Sequence, residues 1–172
     1  YRLLSSFTHA LISIAFIFVG KQKAIARESL QIAFAGQISD VGINKIIREN
    51  FENLGRGMVE MLYFLSHTDE LQKNVIIEGK EHLDNALKAG KGVVAATAHF
   101  GNFPLMMLYF AKNGYATNTI IRPTRDEKLE AYLMKRRTEC GLKTIYAIPR
   151  LECVNKSLKA LRNNEILYIP MD

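Results

Sequence analysis

The chain has 172 residues, 48% hydrophobic and 23% charged, with a formal net charge of +6. That length holds one domain, or one domain with an appendage, and so ordinary a composition excludes wholesale disorder and fibrous repeats. Cys140 and Cys153 are the two cysteines; they are too few for a disulfide framework, no CxxC pair points to zinc, and a reducing compartment is the simpler expectation.

Residues 3–20 contain no Asp, Glu, Lys or Arg. A run of that length is at the lower limit for crossing a membrane, so contact at the membrane surface is expected more than a span. Lys21, Lys23 and Arg27 follow it, the flank expected at a cytoplasmic membrane face. A signal peptide would carry its basic residues before the apolar run. A helix packed on the domain is the alternative.

Residues 43–65 are expected to form a helix. Ile43, Ile46, Ile47, Phe51, Leu54, Met58, Met61, Leu62 and Leu65 fall at steps of three and four, one apolar stripe that reads as core. Lys45, Arg48, Glu49, Glu52 and Arg56 occupy the opposite face.

After Ser66 the pattern alternates. Val75–Ile77, Val93–Thr97, Thr117–Ile121, Thr144–Ile148 and Ile166–Ile169 read as strands. Helices are expected over 80–89, 103–113, 126–140 and 152–163, the third with Leu129, Tyr132, Leu133 and Cys140 on its apolar face. Gly90, Gly92, Gly114 and Gly141 sit where helices should stop. Strand–helix–strand at this spacing implies an α/β fold: a mostly parallel sheet flanked by helices, preceded by N-terminal membrane-proximal helices. The expected division is a helical, membrane-associated region over 1–65 and an α/β core over 66–172. The chain begins at Tyr1 and stops at Met171-Asp172, directly after an apolar strand; both ends look cut, and the last strand is expected to lead into a loop and further structure.

The charge is uneven. Residues 112–162 hold 12 of the 23 lysines and arginines and 5 of the 17 acids. A basic half on a near-neutral body suits an acidic partner: anionic lipid, phosphate, an acidic protein or nucleic acid. Lys135, Arg136 and Arg137, with Lys156, Lys159 and Arg162, form helix-borne clusters that read as solvated faces or as a dock for an acidic carrier or a membrane. No nucleic acid is expected, because the basic residues carry neither aromatic stacking positions nor a groove-reading motif.

In open parallel sheets, ligands bind beyond the carboxyl ends of the strands. Three polar clusters fall at such ends: residues 99–104, 122–126 and 170–172. Topology therefore brings His99, Arg122 and Asp172 to one side of the sheet. His99 is the natural general base, or else a strand-end histidine bonded to a nearby carbonyl. Gly101 lets a substrate approach the backbone, Asn102 suits a helix N-cap, and Pro104 suits the first helical turn. The helix start offers N–H groups to developing negative charge. Arg122, with Arg125 three positions on, can hold a phosphate or carboxylate; a surface ion pair of Arg122 with Asp126 or Glu127 is the alternative.

Other chemistries fail on spacing. Cys140 falls in an apolar pattern and Cys153 has no histidine nearby; His9, His67 and His82 lack metal-ligand spacing. Lys91 and Gly92 lack the glycines of a phosphate loop, and no serine sits in a GxSxG elbow.

The stretch ATAHFGNFPLM at 96–106 resembles the first block, HxGNWE, of the bacterial lipid A biosynthesis acyltransferases, within the lysophospholipid acyltransferase superfamily. Residues 26–34 and 50–61 resemble that family's N-terminal helices. Residues 120–145 resemble its second block, an Arg-Pro pair before a helix and a glycine-led strand. Residues 157–172 resemble the stretch that ends in Pro-Asp-Gln, with Met171 between proline and acid. The likeness runs in order over nearly the whole chain.

The resemblance implies that His99 is the catalytic base, taking a proton from a hydroxyl of a lipid A precursor or similar glycolipid. The oxygen then attacks an acyl thioester carried by acyl carrier protein, an acidic donor that suits the basic half. Arg122 is implied to hold a phosphate of the acceptor or of the carrier's prosthetic group, and Asn102 to position its loop. No metal or bound cofactor is implied. The implied location is the cytoplasmic face of the bacterial inner membrane. One position departs: the family's acid five residues after the histidine is Pro104 here. Asp172 and Glu127 are the possible replacements, and a catalytically silent member that binds lipid or carrier is the alternative.

Overall fold

The computed structural model describes residue 12 and residues 16–171. The expected role of Asp172, and most of the expected membrane-contacting run at 3–20, lie outside the described residues. The chain divides into two compact units, 1–60 and 61–172.

In the first unit, helix α1 (Gly20–Phe34) precedes the long helix α2 (Asp40–Ser66), whose last turn belongs to the second unit. The expected stripe of α2 divides. Ile43 and Ile47 are buried, but Leu54 and Met58 are more than half exposed and Leu62 is exposed too. Leu54 and Met58 instead line a shallow apolar hollow with Ile12, Phe16 and Phe51. Among the described residues, no helix is long and apolar enough to cross a membrane.

In the second unit a 3-10 turn (Thr68–Glu70) and the short helix α3 (Leu71–Asn74) lead to α4 (Lys80–Lys88). The order is then β1 (Val93–Thr97), α5 (Phe103–Lys112), β2 (Thr117–Ile121), α6 (Glu127–Glu139), β3 (Leu142–Tyr146), α7 (Arg150–Arg162) and β4 (Ile166–Pro170). The four strands form one all-parallel sheet in the order β1-β4-β2-β3. The α/β expectation holds, and β1 and β2 fall where the apolar runs place them.

Two strand expectations need correction. Val75–Ile77 joins no strand: Val75 and Ile77 pack on core clusters while Ile76 is exposed, a chain segment crossing the surface. The fourth expected strand, Thr144–Ile148, begins two residues earlier, at Leu142, because Gly141 adopts a left-handed φ of 81° and the chain pairs at once, Leu142 opposite Thr117. Pro149 then stands at the N-cap of α7, where its preset φ and missing N–H suit a helix start.

One face of the sheet, through Ala95, Leu142, Ile166 and Tyr168, packs on Met107, Phe110 and Ala111 of α5 and on Leu83 and Leu87 of α4. On the opposite pleat, Ile145 and Leu167 are buried and α7 contacts β3 and β4, whereas Val94 of β1 is exposed. The central strand carries buried polar groups with partners. The Thr117 hydroxyl donates to the Tyr115 carbonyl, and the Asn118 amide donates to Glu165 and to the Ile166 carbonyl.

Candidate active site

Parallel pairing puts every strand's carboxyl end on one side, and β4 lies between β1 and β2. The loop after β1 holds His99 and the loop after β2 holds Arg122, with the end of β4 between them. The β2–β4 ladder stops at Thr119 opposite Tyr168, before either strand ends. Ile120, Ile121 and Pro170, three of the four residues past the last pair, line a cavity of about 330 Å³ where the sheet parts.

His99, Pro104 and Arg122 line that same cavity. Its walls are mainly apolar: Phe103, Met107 and Leu108 from α5, Met61 and Leu65 from the end of α2, and Leu133 from α6. His99 is exposed at the rim, its ring edge-on to Phe103 at 5.0 Å between centroids. Arg122 is exposed, and among the described residues it has no ion pair with Asp126 or Glu127. An imidazole and a guanidinium thus face one apolar chamber, an arrangement that suits a proton acceptor beside an anion anchor.

The remaining expected residues are placed differently. Gly101 has a left-handed φ of 57°, and a Cβ there would meet open space. Its glycine is therefore explained by backbone conformation, not by crowding. Asn102 occupies the N-cap of α5, but its side chain makes no capping hydrogen bond. Neither Gly101, Asn102 nor Arg125 is among the residues lining the cavity, and Glu127, in the first turn of α6, is not either. Pro104 stands in the first turn of α5 with its side chain on the cavity wall.

Contrary to expectation, Lys135, Arg136 and Arg137 do not form one solvated basic face. Arg137 is buried and donates to Glu130 at 2.7 Å and to the Leu133 carbonyl at 3.1 Å. Arg136 donates to Glu139 and to the Leu65 carbonyl. Only Lys135 of the three projects freely to solvent, within reach of Glu139. The inward face of α6 runs through Glu130, Leu133, Arg137 and Cys140, while Leu129 and Tyr132 of the expected apolar face are exposed.

Glu130 was missed by apolar periodicity. Its carboxylate accepts from Arg137, from the Tyr146 hydroxyl at 3.0 Å and from the Thr124 backbone N–H at 2.8 Å. Burial alone pushes this carboxyl up, but those three donors outweigh it and hold it below the usual glutamate range. Burial, then the hydrogen bond to Glu130 and its charge, push the Tyr146 phenol up. The signal in the sequence is opposite charges seven residues apart, on one helical face with Leu133 between them.

No curated protein matches the chain. Residues 1–172, the whole chain, match the family described as bacterial lipid A biosynthesis acyltransferase, and the chain belongs to that family of acyltransferases in lipid A biosynthesis.

Proposed function

We propose that this chain moves a fatty acyl group from an acyl carrier protein thioester to a hydroxyl of a lipid A precursor or similar glycolipid, with His99 as general base. The observation that carries this reading is the shared placement of His99 and Arg122 on one largely apolar cavity. The imidazole takes the hydroxyl proton as the oxygen attacks the thioester carbonyl. A tetrahedral oxyanion forms, the C–S bond breaks, and the imidazolium returns its proton to the departing thiolate. N–H groups at the start of α5 are the donors nearest in sequence to the base, and suit the oxyanion. Arg122 holds a phosphate of the acceptor or of the carrier's prosthetic group, and the apolar walls take the acyl chain.

The carrier docks through basic residues that have no ion pair among the described residues, Arg125 and Lys128 beside Arg122, and the reaction runs at the cytoplasmic face of the inner membrane. Neither a metal nor a cofactor enters these steps.

Pro104 favours a second reading. The family's acid would stand on the same cavity wall as His99, and in an analogous triad loss of the orienting acid costs about 10⁴ in turnover. On that reading the protein binds lipid or carrier without turnover. The test is acyl transfer from carrier-bound donor to a lipid A precursor, comparing the native chain with His99→Ala and Pro104→Glu. Native activity that His99→Ala lowers by a factor of about 10² or more supports the enzyme. A chain that turns over only after Pro104→Glu supports the silent binder.

A further inference from the structure

Glu130 sits where three parts of the site meet. Its Oε2 accepts the Thr124 backbone N–H at 2.8 Å, and its Oε1 accepts from Arg137 and from the Tyr146 hydroxyl of β3. Thr124 is two residues after Arg122, and Pro123 between them has a φ locked by its ring, so little freedom separates the tethered amide from the arginine. The Thr124 hydroxyl also donates to the Asp126 carbonyl, and Asp126 caps α6 by accepting from the Leu129 N–H. Glu130 and Arg137 both line the cavity with Arg122.

We propose that Glu130 is a positioning residue for the anion anchor: it ties the loop at Thr124 to α6 and β3, and so fixes Arg122 at the cavity mouth. Arg137 supports it by keeping a full negative charge in place inside the fold. An arginine fork recognises a phosphate through directed N–H bonds, so loss of its placement costs affinity even while its charge remains. This inference rests on the acyl-transfer reading for its substrate, a phosphorylated glycolipid acceptor. The tether itself is read separately.

Removing Glu130 alone would strand a buried guanidinium, so the test replaces the pair. Glu130→Leu with Arg137→Met keeps volume and leaves no unpaired charge, a change that proteins often tolerate. Thr124 is exposed, and water can take its freed N–H. The companion, Glu130→Gln with Arg137→Met, returns an acceptor oxygen without the charge. Three readouts are needed on the full chain: amide hydrogen exchange at Thr124, acceptor binding by titration, and transfer kinetics with and without Arg122→Ala.

The expected result is a protected Thr124 amide in the native chain that exchanges at least about tenfold faster in the Leu/Met pair and regains protection in the Gln/Met pair. Acceptor KM rises on the order of tenfold in the Leu/Met pair, with most of the loss in KM and not in kcat, and partly recovers in the Gln/Met pair. Adding Arg122→Ala to the Leu/Met pair then costs little more, because both changes remove one interaction. An unprotected Thr124 amide in the native chain overturns the tether without any variant. Losses that multiply fully between Arg122→Ala and the pair overturn the link to Arg122. A native chain that turns over no acceptor counts against acyl transfer alone, and amide exchange with acceptor titration then decides the tether.

Discussion

The guanidinium of Arg136 donates to the Leu65 carbonyl at 2.7 Å, joining the middle of the basic triplet 135–137 to the last turn of α2. With Arg137 buried against Glu130, two of three charges in that triplet are engaged within the fold. On the proposed function, an acidic carrier is expected to meet Arg125 and Lys128 in preference to Arg136 and Arg137. Reversing Arg125 and Lys128 to glutamate should raise the KM for carrier-bound donor on the order of tenfold at low salt and flatten its salt dependence. Arg136→Ala should act on stability instead, lowering it by about 1–2 kcal/mol through the stranded carbonyl, as followed by urea unfolding. Unchanged donor kinetics in the Arg125/Lys128 variant would remove this face from carrier binding.

Gly92 enters β1 against the end of α7. A Cβ on it would stand 2.5 Å from the Leu161 carbonyl oxygen and 2.7 Å from the Leu161 Cα, both backbone atoms that cannot swing aside. Its φ of 71° adds strain for any L side chain. Gly92→Ala should destabilise the fold by more than about 1 kcal/mol. Gly90, with φ also positive but open space around a Cβ, should lose less on the same change. Equal thermal shifts for the two alanine variants would show that backbone conformation, not the approach to Leu161, sets the cost.

The parts of this fold that follow local rules were legible. Val93–Thr97 and Thr117–Ile121 are short apolar or β-branched runs between helix signals, and the parallel order they imply carries His99 and Arg122 to one side. Val75–Ile77 has the same composition but packs its alternate residues on two clusters without strand neighbours, a tertiary outcome no local pattern encodes. The stripe of α2 reads as continuous in sequence, yet Ile43 and Ile47 are buried while Leu54, Met58 and Leu62 are exposed. On α6 the error came from treating charge as a marker of solvent. Glu130 and Arg137 neutralise each other at 2.7 Å and so can face inward, where Leu129 and Tyr132 do not. Arg122 was placed by topology alone; the carboxylate beneath its loop needed three-dimensional pairing to be seen.

Tyr168 lies in the main core cluster on β4, and burial pushes its phenol up to about 12 from an ordinary value of 10.0. The folded state thus holds the proton more tightly than the unfolded chain. The resulting stability is fully present below pH 10 and is lost as the pH rises toward 12. Tyr168→Phe should remove this component. Unfolding free energies measured between pH 9 and 12 should fall less steeply for the phenylalanine variant than for the native chain. Parallel curves would mean that Tyr168 does not titrate differently in the two states.

Leu133 lines the cavity from α6 and packs with Leu108 and Cys140. If the cavity takes the acyl chain, its free volume of about 330 Å³ limits how much chain can be buried. Leu133→Phe adds bulk at the wall facing α5 and leaves His99 and Arg122 untouched. Each methylene denied burial loses about 0.8 kcal/mol, so donors two carbons longer should be disfavoured by about tenfold relative to the native preference. The measurement is the ratio of kcat/KM for two carrier-bound donors that differ by two methylenes, in native chain and variant. An unchanged ratio, with activity lost equally for both donors, would place the acyl chain outside this cavity. A selective loss of the longer donor, with the shorter one still turned over, ties chain selection to the space between α5 and α6.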